Sequence, residues 1–230
     1  MSEAPAGAVG IPPEPPAVAA AVFGDRLELA ESFVAILADT GVSHGLIGPR
    51  EVPRLWERHV LNCAVVAEAM PTADASVIDV GSGAGLPGLA LAMARPDLRV
   101  TLVEPMLRRT TWLSETVAAL GLSGVEVCRG RAEEFHGRLS ADYVTARAVA
   151  ALDKLAGWCA PLTRVGGELV LMKGDNAADE LAAAAPVLSR WGLGAGQVRV
   201  VGQELPTPTT LVVIGKEREP AATKRRRKRR

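Results

Sequence analysis

Residues 76–88 read SVIDVGSGAGLPG. A β-branched apolar run carries an acid at Asp79 and breaks at Gly81, and four glycines (Gly81, Gly83, Gly85, Gly88) fall within eight residues. Glycines at this density let a ligand or another chain segment come close to backbone. Outward from this turn, short β-branched runs alternate with Ala- and Leu-rich helical runs. Strands are expected at 76–80, 99–103, 125–128, 141–145, 167–172, 197–202 and 210–215. Helices are expected at 86–94, 106–120, 131–137, 150–159 and 175–191. Only the turn-rich ELPTPT of 204–209 separates the last two strands. The pattern specifies a Rossmann-like α/β layer: seven strands, mostly parallel, with an antiparallel last strand.

In such sheets, ligands sit beyond the carboxyl ends of the strands, where strand order switches. Two readings of the glycines compete there. The dinucleotide pattern G-x-G-x-x-G occurs as Gly83, Gly85 and Gly88, but it begins two residues after the strand breaks. The other reading is an S-adenosylmethionine loop, an acid followed by alternating glycines: Asp79, Gly81, Gly83, Gly85. That cofactor has no phosphate to cradle. Its ammonium suits an acid near the turn, and its methionine and ribose need flush backbone. Glu104 ends the next strand, where a carboxylate can accept both hydroxyls of a ribose. GRAEEF (130–135) follows the third strand, and YVTARA (143–148) ends the fourth, with Arg147 expected to face the cleft.

Upstream, residues 1–23 are Pro-rich and read as a disordered or extended lead-in. Residues 24–70 read as N-terminal helices, one over Asp25–Asp39 and one over Glu51–Met70. Val52, Leu55, Trp56, His59, Cys63 and Val66 form the buried stripe of the second. Arg50, Arg54 and Arg58 recur every four residues on another face, as either a solvated surface or a phosphate contact. Residues 71–216 read as the catalytic layer and 217–230 as a disordered basic tail.

The zero formal charge conceals an asymmetry. The last seven residues, Lys224–Arg230, are all basic, and without them 19 Lys and Arg stand against 26 Asp and Glu, about −7. A block of this kind self-repels and suits polyanions. No apolar run approaches the ~20 residues of a membrane span. Three separated cysteines and three isolated histidines give no metal or disulfide pattern, which fits a reducing, cytoplasmic setting. Aromatic residues are 3% of the chain, so phosphate contacts rather than base stacking should dominate any RNA affinity.

Several motifs occur together in order: WERH (56–59), VIDVGSGAGLPG, RRTTWL (108–113), GRAEEF, ARAVA and LMKG (171–174). Over roughly residues 25–216 the chain closely resembles the bacterial 16S rRNA guanine-N7 methyltransferases, also called glucose-inhibited division protein B. The resemblance implies a class I S-adenosylmethionine-dependent methyltransferase fold. It implies methyl transfer to N7 of a guanine near the decoding site, with 16S rRNA in the 30S subunit or an assembly intermediate as partner. It implies cofactor contacts at Gly81, Leu86, Ala132, Glu133 and Arg147, with Glu104 at the ribose position. It makes Arg131, Arg147 and Lys173 candidates for the RNA or catalytic side of the cleft. Candidate RNA contacts also include Arg50, Arg54, Arg58, Lys224, Arg225, Arg226 and Arg227. The family's usual Asp and Ser after WERH are replaced here by Asn62 and Cys63. Other classes remain open at this point: a methyltransferase acting on another RNA or a small molecule, a nicotinamide-dependent oxidoreductase, and a noncatalytic RNA-binding protein.

Overall fold

The computed structural model describes residues 11–147 and 150–220. Seven strands form one sheet: β1 (Ser76–Val80), β2 (Arg99–Glu104), β3 (Val125–Arg129), β4 (Ala141–Arg147), β5 (Thr163–Lys173), β6 (Gln197–Val201) and β7 (Thr209–Gly215). Their order is β3-β2-β1-β4-β5-β7-β6. The first five are parallel, and β7 runs antiparallel to both β5 and β6. The hairpin expected from ELPTPT is therefore present, with its second strand inserted beside β5. Strand order reverses between β1 and β4, which places the switch point beside the glycine turn.

The helices are α1 (Ala17–Phe23), α2 (Leu27–Ile36), α3 (Leu61–Ala64), α4 (Gly88–Ala94), α5 (Leu107–Ala119), α6 (Leu152–Cys159) and α7 (Ala177–Arg190). The helix expected over 131–137 is a single 3-10 turn, Ala132–Phe135. On one sheet face, α6 and α7 bury Leu155, Cys159 and Leu188 against Ile78, Val144 and Leu169. On the other, α4 and the N-terminal helices share one continuous core with Val77, Leu102, Tyr143 and Val170.

The lead-in differs from expectation. Within the described part of residues 1–23, Ala17–Phe23 is helical rather than extended. Its Ala-rich sequence favours helix, and Ala19 and Phe23 are buried. Phe23 meets Trp56 edge-on with ring centroids 6.3 Å apart, and Trp56 Nε1 donates to the Pro13 carbonyl at 2.9 Å. The two expected N-terminal helices also depart from regular geometry. After α2 comes a π-helical turn, Leu37–Gly41. The second runs as a 3-10 segment (Pro49–Arg54), a π-helical turn (Leu55–Val60), α3, and a 3-10 turn (Val65–Ala69). Pro49 and Pro53 cannot donate to a helical ladder, which favours the irregular start. At three residues per 3-10 turn, Arg50 and Arg54 are about a third of a turn out of register. The three arginines are exposed but do not form the straight ridge expected.

Residues 217 and 218, expected in the disordered tail, are held by the fold. Lys216 bridges to Leu193, and the Glu217 and Arg218 amides donate to the Gly192 carbonyl. Lys224, Arg225, Arg226 and Arg227 lie outside the described residues.

Gly88 opens α4 where a Cβ would meet Leu102 Cδ2 at 2.3 Å and Asp79 Oδ2 at 2.8 Å. Gly88→Ala is expected to cost ~1–3 kcal/mol by overpacking. That is a fall of several degrees in Tm, measured by thermal unfolding.

Candidate active site

The glycine turn is a network of short backbone bonds. The Gly81 amide donates to Val103 O at 2.8 Å and the Gly85 amide to Ser82 O at 2.7 Å. Ser82 Oγ donates to Asp79 O at 2.9 Å. Gly81, Gly83 and Gly85 have φ of 74°, 55° and 79°, a region that strains any residue with a Cβ. The turn is thereby held flat against the ends of β1 and β2.

Three cavities meet at the carboxyl ends of β1, β2 and β4. The first, about 560 Å3, is a cleft walled by Gly81, Gly83, Leu86, Glu104, His59 and Arg147. The second, about 190 Å3 and mostly apolar, is lined by Gly81, Val103, Arg131, Ala132, Glu133 and Trp158. Gly81 and Pro105 are common to both. The third, about 800 Å3, has Arg58, Asn62, Met172, Lys173, Glu180 and Thr209 in its wall. Arg147 is the partition between this cavity and the cleft.

Glu104 is buried. Its Oε2 accepts the Gly83 amide at 3.1 Å and its Oε1 the Met106 amide at 3.0 Å. Arg109 Nη1 lies 3.7 Å from the same Oε2. The carboxylate thus arrives at the cleft already oriented by backbone, with lone pairs left for a diol.

Asp79 departs from the expected ammonium contact. It is fully buried and lines none of the three cavities; its Oδ2 accepts the Gly88 amide at 3.0 Å. Its Oδ1 is buried without a partner. Burial pushes its carboxyl up to about 7 against the pull of the Gly88 amide, the Ser82 contact and the Arg147 charge. Alternation along β1 explains the placement. Asp79 shares the face of Val77, towards α4 and α3, while the backbone beyond it forms the cleft.

Gly85 also lies behind the cleft, where a Cβ would meet Leu89 Cδ1 at 2.3 Å. The middle glycine of a dinucleotide fingerprint lets backbone approach the pyrophosphate, so with Gly85 turned to Leu89 and away from the cleft the G-x-G-x-x-G reading fails.

Lys173 is less free than expected. Its Nζ donates to Glu180 Oε2 at 2.7 Å and to Ala150 O at 3.0 Å. Arg131 is exposed at the mouth of the small pocket. Arg58 reaches the large cavity, whereas Arg50 and Arg54 line none of the three. The replaced pair also has a place: Cys63 is buried beside Arg147, and Asn62 Oδ1 is buried without a partner.

Sequence reasoning missed Glu51 and Trp158 and put His59 in a buried stripe. His59 instead faces the cleft and touches Glu51 and Arg147. The signal available was WERH itself, since a polar side chain inside an apolar stripe needs a partner. Among the described residues, no group of three or more His, Cys, Asp or Glu could hold a metal. No helix there is long and apolar enough to cross a membrane.

The parts suit S-adenosylmethionine: glycine backbone where a Cβ would be strained, a pre-oriented carboxylate, and a small apolar pocket sharing Gly81 with the cleft. Fold and site define a class I S-adenosylmethionine-dependent methyltransferase. A methyltransferase from Pyrococcus furiosus shares the fold, with a TM-score of 0.54 at 12% identity over 69% of this chain and 83% of that one. The model of the rRNA small subunit methyltransferase G family matches residues 26–204. Ribosomal RNA small subunit methyltransferase G of Nocardioides sp. is 56% identical over 87% of this chain and 80% of its own length. That of Salinispora tropica is 53% identical over 90% and 88%. The chain belongs to the rRNA small subunit methyltransferase G family.

Because Asp79 has a higher carboxyl pKa folded (about 7) than unfolded (3.8), it binds a proton more tightly in the native state. Its contribution to stability is full below 3.8 and declines as pH rises towards 7. Asp79→Asn, which keeps an acceptor for Gly88, should remove that decline. Denaturant titrations should show the variant gaining stability relative to wild type between about pH 4 and 7. Parallel pH profiles would show that Asp79 titrates normally.

Proposed function

We propose that the protein transfers a methyl group from S-adenosylmethionine to N7 of a guanine in small-subunit rRNA. The observation that carries this reading is Arg147. One side chain walls both the nucleoside-sized cleft and a cavity of about 800 Å3 with a mixed polar and apolar lining, enough for a nucleotide. Relatives more than half identical are named for small-subunit rRNA, and the ordered motifs resemble guanine-N7 enzymes.

Bound in the cleft, the cofactor supplies an electrophilic methyl, with the electron pair of the broken S–C bond remaining on sulfur. Guanine N7 offers an in-plane lone pair and has no proton to lose, so the chain need not supply a base. Its residues hold the reactants in line and exclude water, an effect worth several kcal/mol. Gly81, Gly83 and Glu104 fix the nucleoside, and Ala132 and Glu133 border the adenine. The free N–H groups of Arg147 orient the cofactor's carboxylate at the partition. Lys173, charge-balanced by Glu180, shapes the acceptor cavity and presents only its remaining N–H bond. Arg58, Arg131, Arg50, Arg54 and the basic tail supply phosphate contacts. The substrate is the 30S subunit or an assembly intermediate, and the setting is the cytoplasm.

Unmodified 30S subunits incubated with methyl-labelled cofactor should acquire label at one guanine N7, located by mapping on 16S rRNA. Label on another atom, or none while cofactor binding is intact, overturns the assignment. Arg147→Ala should lower both cofactor affinity and turnover, each by about tenfold or more; unchanged values in binding and single-turnover assays would remove it from the site. Arg58→Ala should flatten the dependence of log affinity on log salt by ~0.7–0.9, one phosphate's worth. An unchanged slope in filter binding would exclude this contact.

A further inference from the structure

Arg147 is held by a chain of contacts that the methyl transfer itself does not explain. Its Nη2 donates to His59 Nδ1 at 2.7 Å, and its Nη1 to Cys63 Sγ at 3.1 Å. His59 Nε2 lies 2.9 Å from Glu51 Oε2. Arginine only donates, so His59 Nδ1 must carry the lone pair and Nε2 the proton. That proton is then donated to Glu51. Two of the guanidinium's five N–H bonds are thereby engaged and the rest remain for a ligand.

We propose that Glu51 and His59 are positioning residues for Arg147: Glu51 fixes the Nε2–H tautomer, and the His59 Nδ1 lone pair seats the guanidinium on the partition, facing the cofactor's carboxylate.

The arrangement joins three separate elements. Glu51 lies in the 3-10 segment, His59 in the following π-helical turn, and Arg147 at the end of β4. Eight residues part Glu51 from His59, so the irregular helix between them sets their approach. Cys63, on α3, is packed against Met172 with sulfurs 3.9 Å apart, and bounds the guanidinium on its other side. Burial pushes the Cys63 thiol up to about 11, which keeps it a neutral neighbour of the cation.

The device is sensitive to protonation. The charged groups acting on His59 are Glu51, Arg147 and Arg58. Burial holds its imidazole below the ordinary 6.5, Arg147 and Arg58 push in the same direction, and Glu51 opposes them. A proton on Nδ1 removes the acceptor for Arg147 and puts a second cation at its contact. Arg147 is then unseated, so cofactor affinity should fall as pH drops below 6.5.

The test is calorimetric binding of S-adenosylhomocysteine, without RNA, from about pH 5.5 to about 8.5. Wild type should weaken progressively across the acid half, by up to about tenfold at the lowest pH, the ceiling set by one proton on a group that titrates below 6.5. His59→Gln can accept from Arg147 and donate to Glu51 yet does not titrate. It should bind within about threefold of wild type at alkaline pH and lose the acid weakening. His59→Phe should bind about tenfold more weakly throughout. A Gln variant that keeps the acid weakening, or a Phe variant that binds like wild type, overturns the proposal. The proposal rests on Arg147 meeting the cofactor. Because RNA is absent from the assay, a wrong guanine assignment would leave these outcomes unchanged.

Discussion

The Gly88 amide meets a fully buried carboxylate at 3.0 Å, and the rest of the site is arranged around that contact. It fixes where α4 begins, how closely that helix approaches β1, and hence how the glycine turn lies over the strand ends. A neutral acceptor at position 79 could take the same hydrogen bond at a lower desolvation cost. The carboxylate instead stays within reach of the Arg147 charge and retains an unpartnered oxygen, Oδ1. The turn's anchor and the cleft's cation are therefore electrostatically coupled through the protein interior, where screening is weak.

A second acid plays the complementary part. Glu104 ends β2 one strand away and takes the amides of Gly83 and Met106. Asp79 braces the turn from beneath, while Glu104 braces it from the cleft side. The Glu104 charge adds to the cost of ionising Asp79 and so contributes to the upward shift there. Their different surroundings separate their roles: the deeply enclosed acid holds backbone, and the other lines the cleft.

The sheet was legible in the sequence because its inner strands, such as β1, β4 and β7, are buried on both faces and read as apolar runs between turn residues. Each expected strand lies within a few residues of an observed one, including the β7 inserted beside β5. The lining of the cleft and of the small pocket was legible for a related reason. A glycine turn at a fixed place in a parallel sheet specifies position, and Glu104, Ala132 and Glu133 follow from their strand ends. The N-terminal half was harder. Pro49 and Pro53 break the helical period, so arginines four apart no longer share a face. Ala17–Phe23 follows a Pro-rich stretch yet is helical because a tertiary neighbour, Trp56, covers Phe23. Tertiary partnership also hid His59, Lys173 and Asp79. Their partners are 88, 7 and 9 residues away, and composition does not reveal which pairings the fold creates.

The N-terminal helices do more than extend the core. The parallel sheet and its turns build one wall of the cleft and end at Arg147. Glu51, His59, Arg58, Asn62 and Cys63 all come from the irregular helical run of 49–69. This run forms the opposite wall and contributes to the large cavity as well. It is tied to the sheet at separated points: Thr209 Oγ1 donates to Asn62 O, and the Gly202 amide donates to Glu68. His59 and Cys63, four residues apart, would share a face of any regular α-helix, and both meet the Arg147 guanidinium. Glu51, eight residues before His59, would stand about 80° round the axis of a regular α-helix; the 3-10 and π-helical turns between them accompany its contact with His59.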